Sequence, residues 1–379
     1  MDKYLKLFTF TFLTFCLLFP LLNWIADPFW YYRVVEIPGF NQIKPKFRYF
    51  EREFKPLILT KVKPQAIILG SSYAEIGLDP MHPALTRTGL KTYNFGMIAA
   101  HWDEVHCNFH FAIQNNPISQ ILLGIDAGTL ENNDCSEKIN SMGQPNHIKN
   151  LLSFEASIQS FKVLLRQKSS EATHTREGLF FFSKRDSGTK ERFSDIKRNS
   201  QCTPLEETPK PTENLKRLDL EGFRHTIRTV LARNIALKII INPMHAYAYE
   251  NVLKCKSDTA YWDNVYQVAE ALEQETSKSP NSIELWNFTG YNKFMAQTVS
   301  PGPEVRYWQD PRHYNFELGN FFMDRMYRIK NSKDPETSNL GSAVTTDNLY
   351  SHVENIHKER ELFIQENPWF LLEYKSLTE

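Results

Sequence analysis

Gln65-Ala66-Ile67-Ile68-Leu69-Gly70-Ser71-Ser72-Tyr73-Ala74-Glu75-Ile76-Gly77-Leu78-Asp79-Pro80 is the stretch on which the reading of the fold turns. Its apolar run is short, unbroken and stopped by Gly70, as in a parallel strand buried on both faces that runs into its loop. Four later runs have the same form, at 91–95, 120–125, 237–242 (stopped by Pro243) and 282–287. Amphipathic helical patterns occupy 101–114, 218–234, 259–277 and 316–329. Strands alternating with helices predict an α/β fold, a parallel sheet covered on both faces. Ligands bind such sheets beyond the carboxyl ends of the strands, so the residues just after each strand are the ones to inspect.

Outward from this core, residues 7–26 carry no charge, enough apolar length to cross a bilayer core of roughly 30 Å as a helix. Lys3 and Lys6 precede the run and Trp24, Trp30, Tyr31 and Tyr32 crowd its far end. The expectation is a single-pass anchor in the inner (cytoplasmic) membrane, N-terminus in the cytoplasm and the main domain extracytoplasmic or periplasmic. A cleaved signal peptide is the main rival, although no small-x-small site follows the run. A lipoprotein signal ending at Cys16 would have Phe15 where a small residue is needed. The predicted organisation is an anchor at 1–27, a juxtamembrane connector at 28–60, an α/β domain at 61–330 and a C-terminal extension at 331–379 that lies outside the sheet. Within the domain, residues 166–217 are rich in Ser, Thr, Lys, Arg and Glu and are expected to form a mobile polar insert, with Phe180, Phe181 and Phe182 as a docking exception.

Composition removes other classes. Lys+Arg and Asp+Glu number 44 each in 379 residues, which argues against a nucleic-acid partner. Hydrophobic residues make up 41% of the chain, too many for global disorder. None of the five Cys forms a C-x-x-C pair, so zinc-ribbon and thioredoxin signatures are missing. Outside the apolar run, Cys107, Cys135, Cys202 and Cys255 allow one or two disulfides in an oxidising compartment, with the pairing open and free thiols as the alternative.

Two short motifs carry chemistry. Gly70-Ser71-Ser72 at a strand-to-helix turn exposes a hydroxyl at the sheet rim, beside backbone N–H groups at a helix start that suit an oxyanion. Alone, it also reads as a plain turn and cap. Asp310-Pro311-Arg312-His313-Tyr314 lies in a loop before the last helix of the domain. A serine nucleophile needs a base, and the base an orienting acceptor, roles that His313 and Asp310 can fill. Alone, this pair also reads as a helix cap and a surface histidine.

Together, Gly-x-Ser after the first strand and Asp-x-x-His before the final helix resemble the SGNH (GDSL-type) hydrolase superfamily. The match looks best to its membrane-anchored extracytoplasmic branch, which includes the D-alanine transfer protein of teichoic acid synthesis and alginate O-acetylation proteins. The resemblance spans roughly 61–330 and implies a three-layer, flavodoxin-like parallel sheet. Carried over, Ser72 is the nucleophile, His313 the base and Asp310 its partner. Ser72 and Gly96 (in Asn94-Phe95-Gly96) supply oxyanion-hole N–H groups. Asp126 stands where the family has an Asn donor; an ionised carboxylate cannot donate there, so Asp126 is not counted as catalytic. The implied activity is a serine esterase or O-acyltransferase, with acetyl as the expected group, acting on a cell-envelope or exported polysaccharide through a glycan or acyl-carrier substrate. Such chemistry needs no cofactor and none is expected. The alternatives are an inactive glycan-binding or assembly partner of an integral membrane acyltransferase, and an unrelated tethered α/β protein.

Further positions are weighed. His245, after the fourth strand, and His101 and Trp102, after the Gly96 loop, are candidates to line the substrate cleft, with a local hydrogen bond as the simpler role for His245. His106 and His110, one helical turn apart, have metal-ligand spacing, but no acidic third ligand is identifiable and no metal is expected.

Overall fold

A computed structural model describes residues 2–87, 89–130, 135–144, 151–167, 173–181, 190–194, 196, 218–256, 258–277, 279, 283–299, 305–329, 337 and 339–378. The five apolar runs become β1 (Ala66–Leu69), β2 (Thr92–Asn94), β3 (Gln120–Ile125), β6 (Ala236–Ile241) and β7 (Glu284–Asn287). They pair in parallel, in the order β2-β1-β3-β6-β7. A central parallel strand is covered on both faces, and Ile67, Ile68 and Leu69 accordingly have no exposed surface. Two more short strands, β4 (Thr173–His174) and β5 (Phe180–Phe181), form a separate antiparallel hairpin. The four helical patterns form Trp102–Asn115, Glu221–Ala232, Thr259–Thr276 and Phe316–Met326, within three residues of their expected ends.

Several sequence expectations change here. The connector at 28–60 is part of the body, because Glu51–Val62 is a helix whose Phe54, Ile58 and Leu59 are buried in the core. The charged residues Glu51 and Lys55, buried alongside them, mask this face in the sequence. The C-terminal extension joins the sheet: Ser342–Ala343 forms β8, antiparallel to β7 at its edge. The apolar residues 369–372 near the end of the extension open the helix Trp369–Thr378, which buries Phe370, Tyr374 and Leu377. Most of the polar insert at 166–217, including Phe182, lies outside the described residues. Residues 173–181 of it carry the β4–β5 hairpin, and both Phe180 and His174 are buried. Cys107 and Cys135 form a disulfide, which settles one pairing. Cys202 and the side chain of Cys255 lie outside the described residues.

Asp2–Ala26 is a single helix of mean hydropathy 2.0 with its apolar window unburied, and it is the one described helix long and apolar enough to cross a membrane. Its C-terminal end is tied to the body. Asn23 is buried and donates to the Leu151 carbonyl (2.8 Å) and to Ser157 Oγ (3.1 Å).

Two glycines bring the ends of the domain together. The helix Ser72–Gly77 crosses Phe316–Met326 so closely that a Cβ on Gly319 would stand 1.6 Å from the Gly77 carbonyl oxygen. A Cβ on Gly77 would stand 2.1 Å from the ring of Tyr314, which is itself fully buried. Gly319→Ala must push backbone away from backbone, which no rotamer change relieves. It is expected to destabilise the fold by about 3 kcal/mol, read as a lowered midpoint in urea. A shift within about 0.5 kcal/mol, the range of an ordinary surface change, would refute this packing.

Candidate active site

The site begins with the turn after β1. Gly70 adopts φ +146°, a region that side chains rarely enter, and a Cβ there would meet Ala74 Cβ at 2.8 Å and the Gly124 carbonyl oxygen at 2.9 Å. That tight turn starts the Ser72–Gly77 helix at the carboxyl edge of the sheet. The N–H groups of Ala74 and Glu75 both donate to the Ser71 carbonyl. The first-turn N–H groups of Ser72 and Tyr73 therefore lie ahead of the helix's own hydrogen-bond ladder.

The opposite half is a reverse turn. Gln309 N donates to the His313 carbonyl and Asn315 N to the Tyr307 carbonyl, each at 2.9 Å. Trp308 and Tyr314 pair as a bridge and are both fully buried. At the tip, Asp310 Oδ1 accepts from the N–H groups of Arg312 (2.8 Å) and His313 (2.9 Å), which turns the chain back on itself. Asp310 Oδ2 then lies 2.7 Å from His313 Nδ1. His313 Nε2 lies 2.9 Å from Ser72 Oγ. The Asp310 contact assigns the Nδ1 proton and leaves the Nε2 lone pair for the serine proton. The Tyr73 ring stacks on the imidazole at 5.1 Å and holds its plane.

Burial alone would raise the Asp310 pKa, but the His313 hydrogen bond and charge and the two backbone N–H groups outweigh it and lower the value. A carboxylate with a depressed folded pKa contributes stability that is complete above its unfolded value of about 3.9 and is lost as pH falls through the folded value. The stability gap between wild type and Asp310→Asn is therefore expected to be steady near neutrality and to shrink below about pH 4. Urea unfolding at neutral and acid pH checks this; a gap that widens in acid would contradict it.

Two expected site residues take other roles. The Gly96 N–H, expected in the oxyanion hole, is held by Asn94 Oδ1 at 2.9 Å. Asn94 points its Nδ2 at the carbonyls of Ala74 and Leu78 (2.8 Å each), which turns its oxygen toward Gly96. With that bond made, the Gly96 N–H is taken up within its own loop. His245, expected at the cleft, has no exposed surface. Its Nδ1 accepts from the Tyr247 N–H, and its Nε2 lies 3.0 Å from the Gln297 carbonyl oxygen, a contact that it makes as a donor. Burial lowers its pKa to about 3. Its backbone N–H donates to the Pro311 carbonyl at 3.0 Å, and its ring meets Trp308 edge-on, so it supports the turn that carries His313. A histidine two residues beyond a strand reads in sequence as a rim residue, and only burial separates the two roles. His101 is exposed at the start of the Trp102–Asn115 helix, at the same edge.

Asp126 is turned aside. Its Oδ1 accepts from Asn242 Nδ2 at 3.0 Å. Burial raises its pKa, although the Asn242 bond and the charges of Arg312, His313 and His101 oppose the rise. Asp126 and Asn242 line a small recess with Ser71, Gly124 and Trp102, with room for one water-sized group. Ser71 Oγ, Trp102 Nε1 and Asn242 Oδ1 are buried there without a hydrogen-bond partner. Trp102 lines this recess, a role for which its place after the Gly96 loop makes it a candidate, whereas the sequence does not single out Asn242, since an Asn after a strand looks like an ordinary cap residue.

A buried charge network underlies the helix Ser72–Gly77. Glu75 Oε1 lies 2.7 Å from His174 Nε2 and 3.4 Å from Lys55 Nζ, and Glu75 Oε2 lies 3.2 Å from Arg48 Nη2. Lys55 also donates to the Gly96 carbonyl. Burial opposes ionisation of Glu75, but the Lys55 charge and the His174 hydrogen bond override it and hold its pKa well below the usual carboxylate range. Glu51, beside them, is raised, chiefly by burial.

His106 and His110 gain a third imidazole that the spacing did not show, His225 from the helix Glu221–Ala232. Burial, then neighbouring charge, lowers His106 and His110 to about 4, so both are uncharged near neutrality.

No known protein family and no curated protein matches the chain.

Proposed function

We propose that the chain is a membrane-anchored serine esterase or O-acyltransferase of the SGNH type. The observation that carries this reading is the continuous relay from Ser72 Oγ through His313 to the Asp310 carboxylate. Ser72 Oγ attacks the acyl carbonyl as His313 Nε2 takes its proton. The tetrahedral oxyanion is held by the Ser72 N–H at the helix start, with the unpartnered Ser71 hydroxyl next to it as a further donor. His313 returns the proton to the leaving alcohol, and an acyl-Ser72 ester remains. Water or an acceptor hydroxyl, deprotonated by His313, then takes the acyl group and frees Ser72. Asp310 stays ionised and stabilises the imidazolium that forms.

Two further observations support the reading. With the β4–β5 hairpin set aside, the parallel order is 2-1-3-4-5, the flavodoxin-like order. Leu152, Phe154, Phe161 and Leu165 are exposed on and beside the helix Phe154–Leu165, which the apolar N-terminal helix contacts through Asn23 and Ser157. Exposed apolar groups at that place suit a bilayer surface, and the positive charges of Lys3 and Lys6 favour a cytoplasmic N-terminus. The resemblance adds acetyl as the group and an envelope or exported polysaccharide as the acceptor or substrate.

A second reading is an inactive glycan-binding or assembly partner of a membrane acyltransferase. The committed Gly96 N–H and the acid at position 126 favour it, because both remove donors from the oxyanion hole. A fluorophosphonate probe separates the two. Native full-length protein is expected to be labelled at Ser72 and heated protein not; absence of native labelling would decide for the inactive reading.

A further inference from the structure

We propose that His106, His110 and His225 form a binding site for one divalent ion of the zinc class, bridging the helices Trp102–Asn115 and Glu221–Ala232. One nitrogen from each ring lies within 4.8 Å of the others. His110 Nε2 and His225 Nδ1 are 3.2 Å apart. Two imidazoles on a tetrahedral zinc, each about 2.05 Å from the metal, hold their nitrogens about 3.3 Å apart, so this pair already has the ligand spacing. The rings pack face to edge or tilted, with His106 to His110 at 4.5 Å and His110 to His225 at 4.9 Å between centroids.

The surroundings fix one ligand further. Thr226 Oγ1 donates its only proton to the Gly222 carbonyl at 3.0 Å. It must therefore accept in its 2.9 Å contact with His106 Nδ1. The His106 proton is thereby placed on Nδ1 and its lone pair on Nε2, the outer-shell arrangement that orients metal-bound histidines. Three imidazole nitrogens and no carboxylate select zinc, copper or nickel over magnesium or calcium, which need oxygen ligands. His106 is buried, His110 half-buried and His225 exposed, so an ion enters from solvent and keeps a fourth position for water.

This site is separate from the Ser72 relay and stands or falls without it. The test uses the full-length chain in detergent, stripped with a chelator and titrated with zinc, with calorimetry giving the stoichiometry. One equivalent is expected to bind and to raise the thermal midpoint, and magnesium is expected to do neither. The double variant His110→Asn/His225→Asn is expected to lose that one equivalent, whereas His357→Asn, at an unrelated partly exposed histidine, keeps it. Cobalt(II) added to the unaltered protein is expected to give visible bands of a four-coordinate nitrogen site. Absence of zinc uptake, an unchanged stoichiometry in the double variant, or a six-coordinate cobalt spectrum would overturn the proposal.

Discussion

Ser72→Ala is expected to lower turnover of a small acetyl ester by about 10⁴-fold or more while the protein still unfolds cooperatively. The hydroxyl is the only atom lost, and Ser72 is 8% exposed on a six-residue helix whose packing rests on Gly77 and Ala74. His313→Ala is expected to cost about as much, and the two together little more, because a relay fails as a unit. Asp310→Asn keeps the shape but loses the charge that orients and stabilises the imidazolium, and a loss of similar order is expected. Initial rates at saturating ester, with purified full-length variants, measure all four. Turnover by Ser72→Ala equal to that of wild type would end the serine mechanism. Additive losses in Ser72→Ala/His313→Ala would show that the two groups act separately.

Glu75→Gln is the substitution expected to cost most in stability. It preserves volume but leaves Lys55, Arg48 and His174 facing a neutral amide in a fully buried site. Breaking a buried ion pair from one side costs about 3–5 kcal/mol. Chemical unfolding measures this, and a cost below about 1 kcal/mol, that of an exposed pair, would contradict the network. Lys55→Met added to Glu75→Gln is expected to recover part of the loss, since the uncompensated cation is removed. The effect should reach the active site as well. Glu75 belongs to the same short helix as Ser72, and Lys55 holds the Gly96 carbonyl of the neighbouring loop. The depressed Glu75 pKa means that its contribution is complete above its unfolded value of about 4.3 and fades as pH falls toward the folded value.

Much of the sheet was legible because a buried parallel strand writes a local signal. The run at 120–125 became β3 without change, since six consecutive residues between turn signals admit little else. The helix Glu51–Val62 was hidden because its buried positions include Lys55 and Glu51, which read as a surface. β8 was invisible for another reason: two residues, Ser342 and Ala343, are too few to form a pattern, and only the edge of β7 makes them a strand. The same contrast holds at the site. Ser72, Asp310 and His313 stood out as residue types in turn contexts. The true position of His245 depended on burial, and the state of the Gly96 N–H depended on where Asn94 turned its amide.

By itself the order of amino acids determined the apolar N-terminal helix, the alternating strands and helices and the chemical identity of the three relay residues. Each of these follows from local hydrophobic periodicity or from the side chain alone. Only the tertiary structure decided that Ser72 and His313, 241 positions apart, stand 2.9 Å from each other. It also decided that two side-chain-free glycines let their helices touch, and that His225 closes on His106 and His110. Such contacts arise where separate elements pack, and close packing is a property of the assembled core that no single segment encodes.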